Sequence, residues 1–446
     1  FMIIKLRFAP SPTGNLHVGN ARTALVNYLF SKCNNGEMLL RIDDTDPERS
    51  KTEFEENIKK DLNWLGIFWE NTDRQSLRID KYNNALKKLF EIGRAYRCYE
   101  TPEELSLKRK AQLISGKPPV YDRQAMNLTE DDHQKFKREG KLPHWRFKLI
   151  DQEVNWTDLI RGNCNYNMKS LSDPVIMRED GRPIYTLASV VDDIDHNITH
   201  IIRGEDHATN SAAQIQLFQA LGSKSPTMGH LSLIAGSEGE GLSKRLGSLT
   251  LGELRKDGIE SNALASLLAR LGTSEPIVAF KTMEEIIKSF DLSKFSRNTA
   301  KFDVNELNFI NKKSIQLLDY DDAKEKLKSL GLDANKEFWD LVSGNLGNLK
   351  QSIIWWEVIY GEVEPIIDNP EIIKIAKENF PNDKLDNSTW GTWSKKISNL
   401  SGLKGKELFT TLRKAITSQE HGPELSKLLP VLGKEKILSR LSGIKS

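Results

Sequence analysis

The chain has 446 residues, 64 Lys and Arg against 62 Asp and Glu, a net charge of +2 and three cysteines. That length gives two to four domains with ample core, and the even charge balance excludes a chain that coats nucleic acid indiscriminately while leaving room for a local basic stripe. The odd, widely spaced Cys33, Cys98 and Cys164 exclude a disulfide framework, and no run of about 18 apolar residues or signal-peptide block occurs, so a cytoplasmic protein with no membrane association is expected.

The residues just before Arg7 read as a strand, Pro10, Pro12 and Gly14 force a turn, and Gly19 through Phe30 places Ala21, Leu25, Tyr28 and Leu29 on one helical face. A helix start leaves backbone N–H groups unpaired, and the aligned peptide dipoles favour an anion there. His17 adds a proton donor, and Gly19 lets an adenine or ribose come close to the backbone. Glu37 to Asp43 reads as a second strand, followed by an amphipathic helix bearing Phe54, Ile58, Leu62 and Leu65. This alternation predicts a parallel sheet with ligand at the strand carboxyl ends.

From about 76 to 185 the texture changes to short elements with scattered Trp, Pro and charge, as in an insertion. Tyr185 to Asp193 and Ile198 to Arg203, β-branched and apolar, read as strands resuming the sheet. A helix from Thr209 to Leu221 follows, with Gly222 as its stop. Leu231 to Ala235 reads as a last strand leading into Gly241-Leu242-Ser243-Lys244-Arg245, which puts Lys244 at the same end of the sheet as His17. Beyond about 315, helical patterns dominate: Ile353 to Ile359, Pro370 to Asn379, Lys406 to Thr417, and a helix after Gly422-Pro423 carrying Leu425, Leu428, Leu429 and Leu432.

His17-Val18-Gly19-Asn20 resembles the first signature of class I aminoacyl-tRNA synthetases, and Arg7 to Leu25 as a whole resembles glutamyl-tRNA synthetases of the bacterial type. Gly241 to Arg245 is similar to the lysine loop of the same class, and Leu40 to Asp46 and Ile201 to His207 extend the match in order along the chain. The resemblance implies a multidomain α/β plus all-α protein. Its expected parts are a Rossmann-like parallel-sheet catalytic domain in two halves (1–75 and 186–235), an inserted tRNA acceptor-binding domain (76–185), a stem-contact domain with the lysine loop (236–315) and an all-helical anticodon-binding domain (316–446).

The implied reaction is two-step. Glutamate attacks the α-phosphate of ATP to give glutamyl-adenylate, and the 3'-terminal adenosine of tRNA(Glu) takes the glutamyl group, with tRNA(Gln) as an open second substrate. By resemblance, His17, Asn20 and Lys244 are catalytic, and Thr13, His17, Gly19, Asn20, Ser243, Lys244 and Arg245 hold ATP, with Mg²⁺ accompanying the triphosphate. Glutamate is expected at Arg7, Ala9, Ser11, Asp43, Tyr185, Ser189 and Arg203, the planar arginine forks suiting a carboxylate. A monomer is expected from the family.

Three positions depart from the pattern. Gly241 stands where the loop usually opens with lysine, and Asp43 is one methylene shorter than the more common Glu. Relatives that carry zinc in the insertion use soft ligands where this chain retains only Cys98, with Glu100, Gln124 and Met126 at the other places, so no structural zinc is expected. Glu205, Asp206 and His207 read as a helix start rather than a metal site, Trp355-Trp356 as core, and Lys108-Arg109-Lys110 as a solvated helix face or a tRNA-backbone contact. Two alternatives remain: a silent tRNA-binding paralogue, and a paralogue that glutamylates a modified tRNA base, which the long helical tail disfavours.

Overall fold

The structure, a computed structural model, describes residues 3–239 and 249–446. Contacts divide the chain into two units, the first comprising 1–255, 265–278 and 282–303 and the second 256–264, 279–281 and 304–446.

In the first unit, strands β1 (Lys5–Phe8), β2 (Glu37–Ile42) and β3 (Asn71–Arg74) form a parallel sheet in that order. Met38 to Ile42 are all buried, as a parallel strand covered on both faces requires. Between β1 and β2 runs helix α1 (Val18–Cys33), and α2 (Thr52–Trp64) precedes β3. Helix α3 (Ile79–Glu91) leads into the inserted region. There β4 (Ala95–Cys98), β5 (His144–Phe147) and β8 (Val175–Met177) make one antiparallel sheet, and β6 (Glu153–Asp158) with β7 (Gly162–Asn167) makes an antiparallel pair. Helices α4 (Pro102–Ile114) and α5 (Glu130–Arg138) each start with a reciprocal cap, Thr101 with Glu104 and Thr129 with Asp132.

The sheet resumes with β9 (His200–Gly204) paired in parallel to β10 (Thr227–Leu231). Thr199, just before β9, donates its N–H to the Lys5 carbonyl at 2.9 Å, which sets β9 beside β1. Leu6, Val26, Ile202 and Leu231 pack together behind these strands. Arg7, Asp43 and Arg203 therefore sit at or just past the carboxyl ends of β1, β2 and β9.

Tyr185 to Asp193 is a helix, not the strand expected: α6 covers Tyr185–Asp195. Its β-branched content suggested a strand, yet Leu187, Val190, Val191 and Ile194 follow i, i+3, i+4, i+7, and this face packs into the core. The single strand expected over Leu231 to Ala235 is likewise two. β10 ends at Leu231, and β11 (Ile234–Gly236) pairs instead with β12 (Ala300–Phe302). The helix before them, α7 (Ala208–Ala220), stops at Gly222, whose φ of +82° favours glycine.

The second unit is helical. Gln351–Tyr360, Pro370–Glu378, Thr389–Ser401, Gly405–Thr417, Leu425–Leu432 and Lys434–Leu441 surround a core that includes Trp355, Trp393, Leu408, Leu412, Leu428 and Leu429. Trp355 is 5 % exposed and Trp356 packs against the same core, so the tryptophan pair is structural. The Trp393 indole N–H donates to the Ala376 carbonyl at 3.0 Å, pairing its one polar atom inside the apolar cluster.

Candidate active site

The turn after β1 is built by its own backbone and by the loop after β2. Thr13 N–H closes a tight turn on the Ser11 carbonyl, and the Asp43 and Lys51 N–H groups donate to the Pro10 and Pro12 carbonyls at 3.0 Å each. His17 caps α1: its Nδ1 accepts from the Gly19 N–H at 3.1 Å. With Nδ1 committed as an acceptor, the neutral imidazole carries its proton on Nε2, and burial lowers the pKa, favouring that neutral form. Ser11, Thr13 and Asn20 are exposed around this turn, with Ala9 and Gly19 partly so.

Gly241, Ser243, Lys244 and Arg245 lie outside the described residues. The residues after them are placed: Val18 donates to the Leu249 carbonyl at 3.2 Å, Leu251 to the Leu16 carbonyl at 3.0 Å, and His17 and Thr250 form an antiparallel bridge. The segment that leaves the lysine stretch is thus stitched to the His17 cap.

Helix α6 organises the other half of the site. At its start, the Tyr185 hydroxyl accepts from Arg203 Nη1 at 2.8 Å, leaving the hydroxyl proton free to donate. One turn on, the Ser189 hydroxyl donates to the Tyr185 carbonyl at 2.6 Å and accepts from Gln214. Near its end, Asp193 accepts from Arg7 Nε at 3.1 and 3.3 Å and from Arg41 Nη1 at 2.9 Å. Arg41 in turn grips both oxygens of Asp43, Nε donating at 2.7 Å and Nη2 at 3.0 Å. Asp192 is held by Arg78, Gln75 and Tyr82. The sequence reading assigned no role to Arg41, Asp192 or Asp193. Reading the segment as a strand hid the fact that two neighbouring acids point into the site from one helix end.

Asp43 is pushed up to about 6: burial raises it, the Arg41 guanidinium offsets part of that, and Asp192 raises it further. It stays largely ionised at neutral pH, with lone pairs left beyond those Arg41 uses. The Tyr185 ring lies 5.3 Å from that of His207, whose pKa burial lowers, with Arg203 acting in the same direction. Glu205 binds Arg161.

Elsewhere in the inserted region, β4 and β5 set Cys98 opposite His144, and with Glu100 their ligand atoms lie within 4.8 Å of one another. Sequence spacing did not reveal His144 as a neighbour, because it comes from a separate strand. Burial pushes the Cys98 thiol up to about 12, and Glu100 already accepts from Tyr121 at 2.7 Å. Among the described residues, Glu100 Oε2 and His144 Nε2 are buried without a hydrogen-bond partner, so two ligand atoms of the cluster stay open beside the protonated thiol. Lys108, Arg109 and Lys110 lie on α4, where Lys108 reaches Gln124 at 2.8 Å.

Residues 3–309 match the model for class I tRNA synthetases (E and Q), catalytic domain, and residues 368–444 that for an anticodon binding domain. The chain is 49 % identical to glutamate–tRNA ligase 1 of Maricaulis maris over 440 residues, covering 98 % of this chain and 99 % of that protein. It is 46 % identical to glutamate–tRNA ligase 1 of Rickettsia massiliae, covering 98 % of each. Among solved structures it superposes on a glutamate tRNA ligase from Elizabethkingia meningosepticum, in complex with its amino acid, with a TM-score of 0.83, 28 % identity and 99 % of each chain covered. No helix among the described residues is long and apolar enough to cross a membrane.

Proposed function

The chain belongs to the class I tRNA synthetases for glutamate and glutamine, within the glutamate–tRNA ligases, and from that premise we propose how its own residues carry the reaction. Glutamate lies between the two guanidiniums gathered by α6. Arg203 and the Tyr185 hydroxyl take the side-chain carboxylate, with Arg7, Ala9, Ser11 and Ser189 shaping the pocket, and Asp43 accepts from the substrate ammonium. Supporting this, Arg7 Nε and Arg203 Nη1 are each anchored to α6, one at either end.

ATP lies over the turn from Thr13 to Asn20. The neutral His17 donates from Nε2 to phosphate oxygen, Gly19 leaves room for the ribose and Asn20 contacts it. Lys244, with Ser243 and Arg245, neutralises charge growing on the pyrophosphate side as the glutamate α-carboxylate displaces it. Mg²⁺ belongs to the nucleotide substrate and is held chiefly by phosphate oxygens and water. The protein supplies no nucleophile; it orients the reactants and stabilises charge.

The second step transfers the glutamyl group to tRNA(Glu), with the inserted region at 76–185 holding the acceptor end and the helical region from 316 reading the anticodon. The match at 368–444 to an anticodon binding domain disfavours a base-glutamylating paralogue. A cytoplasmic monomer without structural zinc completes the reading. The observation that carries it is the pair of guanidiniums fixed on α6, one at either end. The test is charging of purified tRNA(Glu) and tRNA(Gln) with labelled glutamate and ATP; no charging of either overturns it. Elemental analysis checks the metal: one zinc per chain refutes the zinc-free reading.

A further inference from the structure

We propose that Ser211 and Gln214, with Ser211 held in turn by His230 and the ionised Asp158, form a buried cradle of neutral acceptors that fixes the Arg203 guanidinium while leaving its charge unpaired, and that this cradle sets the preference for glutamate over glutamine. The proposal rests on the reading that Arg203 meets the substrate side chain.

The four residues come from separate elements and converge in the first unit. Asp158 ends β6, His230 lies on β10, and Ser211 and Gln214 lie on α7. One Asp158 oxygen accepts three backbone N–H groups, from Ile160, Arg161 and His230, at 3.0, 2.9 and 3.1 Å. Its other oxygen lies 2.5 Å from His230 Nδ1. Burial pushes this carboxyl up, but the hydrogen bonds from His230, Arg161 and Ile160 outweigh it and hold the group down to about 2. An ionised Asp158 places the imidazole proton on Nδ1. Nε2 of the neutral imidazole then faces the Ser211 hydroxyl across 2.8 Å, and the same hydroxyl reaches the His207 carbonyl at 3.2 Å, so its proton is taken by these acceptors. With that proton committed, the Ser211 oxygen turns a lone pair to Arg203 Nη2, at 2.6 Å.

Gln214 is fixed in the same way. Its amide nitrogen donates to Ser189 at 2.8 Å, which directs its oxygen to Arg203 Nη2 at 2.6 Å. The Tyr185 hydroxyl takes Nη1, and among the described residues Nε is buried with no partner.

An aspartate, a histidine and a serine in line resemble a nucleophilic triad, but here Ser211 and His230 are fully buried and the serine oxygen is already an acceptor for Arg203. The line has a different consequence. Among the described residues, Arg7 and Arg41 are paired with aspartates, whereas Arg203, 5 % exposed, forms no ion pair and is held by neutral oxygens alone. A buried guanidinium without a counter-charge binds an anionic side chain far better than its uncharged isostere. The negative charge that anchors the cradle is kept one imidazole and one hydroxyl away. These are positioning residues; none of them touches substrate.

The test compares kcat/KM for glutamate and glutamine in aminoacylation by the full chain, with thermal melting of each variant as the folding control. Gln214→Glu puts a carboxylate against Arg203. Glutamate kcat/KM is expected to fall about 30- to 100-fold, through KM, the size of losing a charge-assisted hydrogen bond, with little change for glutamine. Ser211→Ala, which removes one of the two oxygens that hold Nη2, is expected to lower selectivity about 10-fold, and to have no further effect in an Arg203→Ala background. If Arg203→Ala destroys the glutamate preference while Gln214→Glu and Ser211→Ala leave it intact, the cradle is overturned. If Arg203→Ala itself leaves the preference unchanged, the underlying reading of Arg203 fails instead. Equal losses for both amino acids in a folded Gln214→Glu variant also refute the cradle, because a purely structural defect does not discriminate by charge.

Discussion

Replacing Asp193 by Asn removes one charge from the centre of the buried network while keeping the side-chain shape. Asp193 is 2 % exposed and serves two arginines, Arg7 at 3.1 and 3.3 Å and Arg41 at 2.9 Å. Removing one partner of a buried ion pair costs about 3–5 kcal/mol when nothing replaces it. Asn retains one carbonyl oxygen, so one of these hydrogen bonds survives in neutral form, and the expected cost is about 2–4 kcal/mol. At about 2–4 °C per kcal/mol for a domain of this size, the calorimetric melting temperature of the catalytic unit should fall by about 4–16 °C. Arg7 loses the contact that fixes its Nε, so the KM for glutamate should rise about 10-fold while that for ATP, bound over the His17 turn, moves less than about twofold. A variant that melts within about 1 °C of the parent with an unchanged glutamate KM would show that Asp193 neither supports the fold nor aims Arg7.

Lys244→Ala should slow glutamate activation about 100- to 1000-fold, measured as pyrophosphate exchange with tRNA present; near-parental exchange removes Lys244 from the triphosphate site. Asp43, held near 6, takes up a proton as pH falls through that value and ceases to accept from the substrate ammonium. The KM for glutamate should therefore climb below about pH 6 and level off above it, a dependence that Asp43→Asn abolishes; the same slope in the variant would assign the titration elsewhere. Because this carboxyl is raised in the folded state, its own contribution to stability grows as pH falls from 6 toward 3.8, so the rise is not unfolding driven by Asp43. Gly422→Ala places a Cβ 2.0 Å from the Trp355 ring in the helical unit. That overlap should cost about 1–3 kcal/mol, read as a lower melting temperature, and an unshifted melt would mean the loop yields freely.

The parts of the site legible in the sequence are those whose chemistry is local. The turn from Pro10 to Asn20 announces itself through prolines, glycines and a capping histidine, while the bonds that brace it from Asp43, Lys51 and Leu251 come from distant segments. Arg7, Asp43 and Arg203 stand at strand ends, where an alternating pattern already places ligands. What stayed hidden depends on approach between distant segments. Asp158 and His230 are 72 residues apart, and Arg7 and Asp193 are 186 apart. No periodicity announces such pairs. For α6 the helical spacing was present at Leu187, Val190, Val191 and Ile194, but two adjacent valines weighed toward strand. The opposite face of the helix, with Ser189, Asp192 and Asp193, is polar but buried, paired with protein partners rather than turned to water.

Helix α6 has one more implication. A single rod of eleven residues sets Tyr185 against one guanidinium at its first turn and Asp193 against another near its last. Any tilt of that rod moves both anchors together, so how tightly the amino acid is gripped and how strictly its identity is judged are mechanically coupled. A substitution deep under the rod, far from either arginine, would blunt the two qualities in step, and evolution can retune one without the other only by working on the residues outside it.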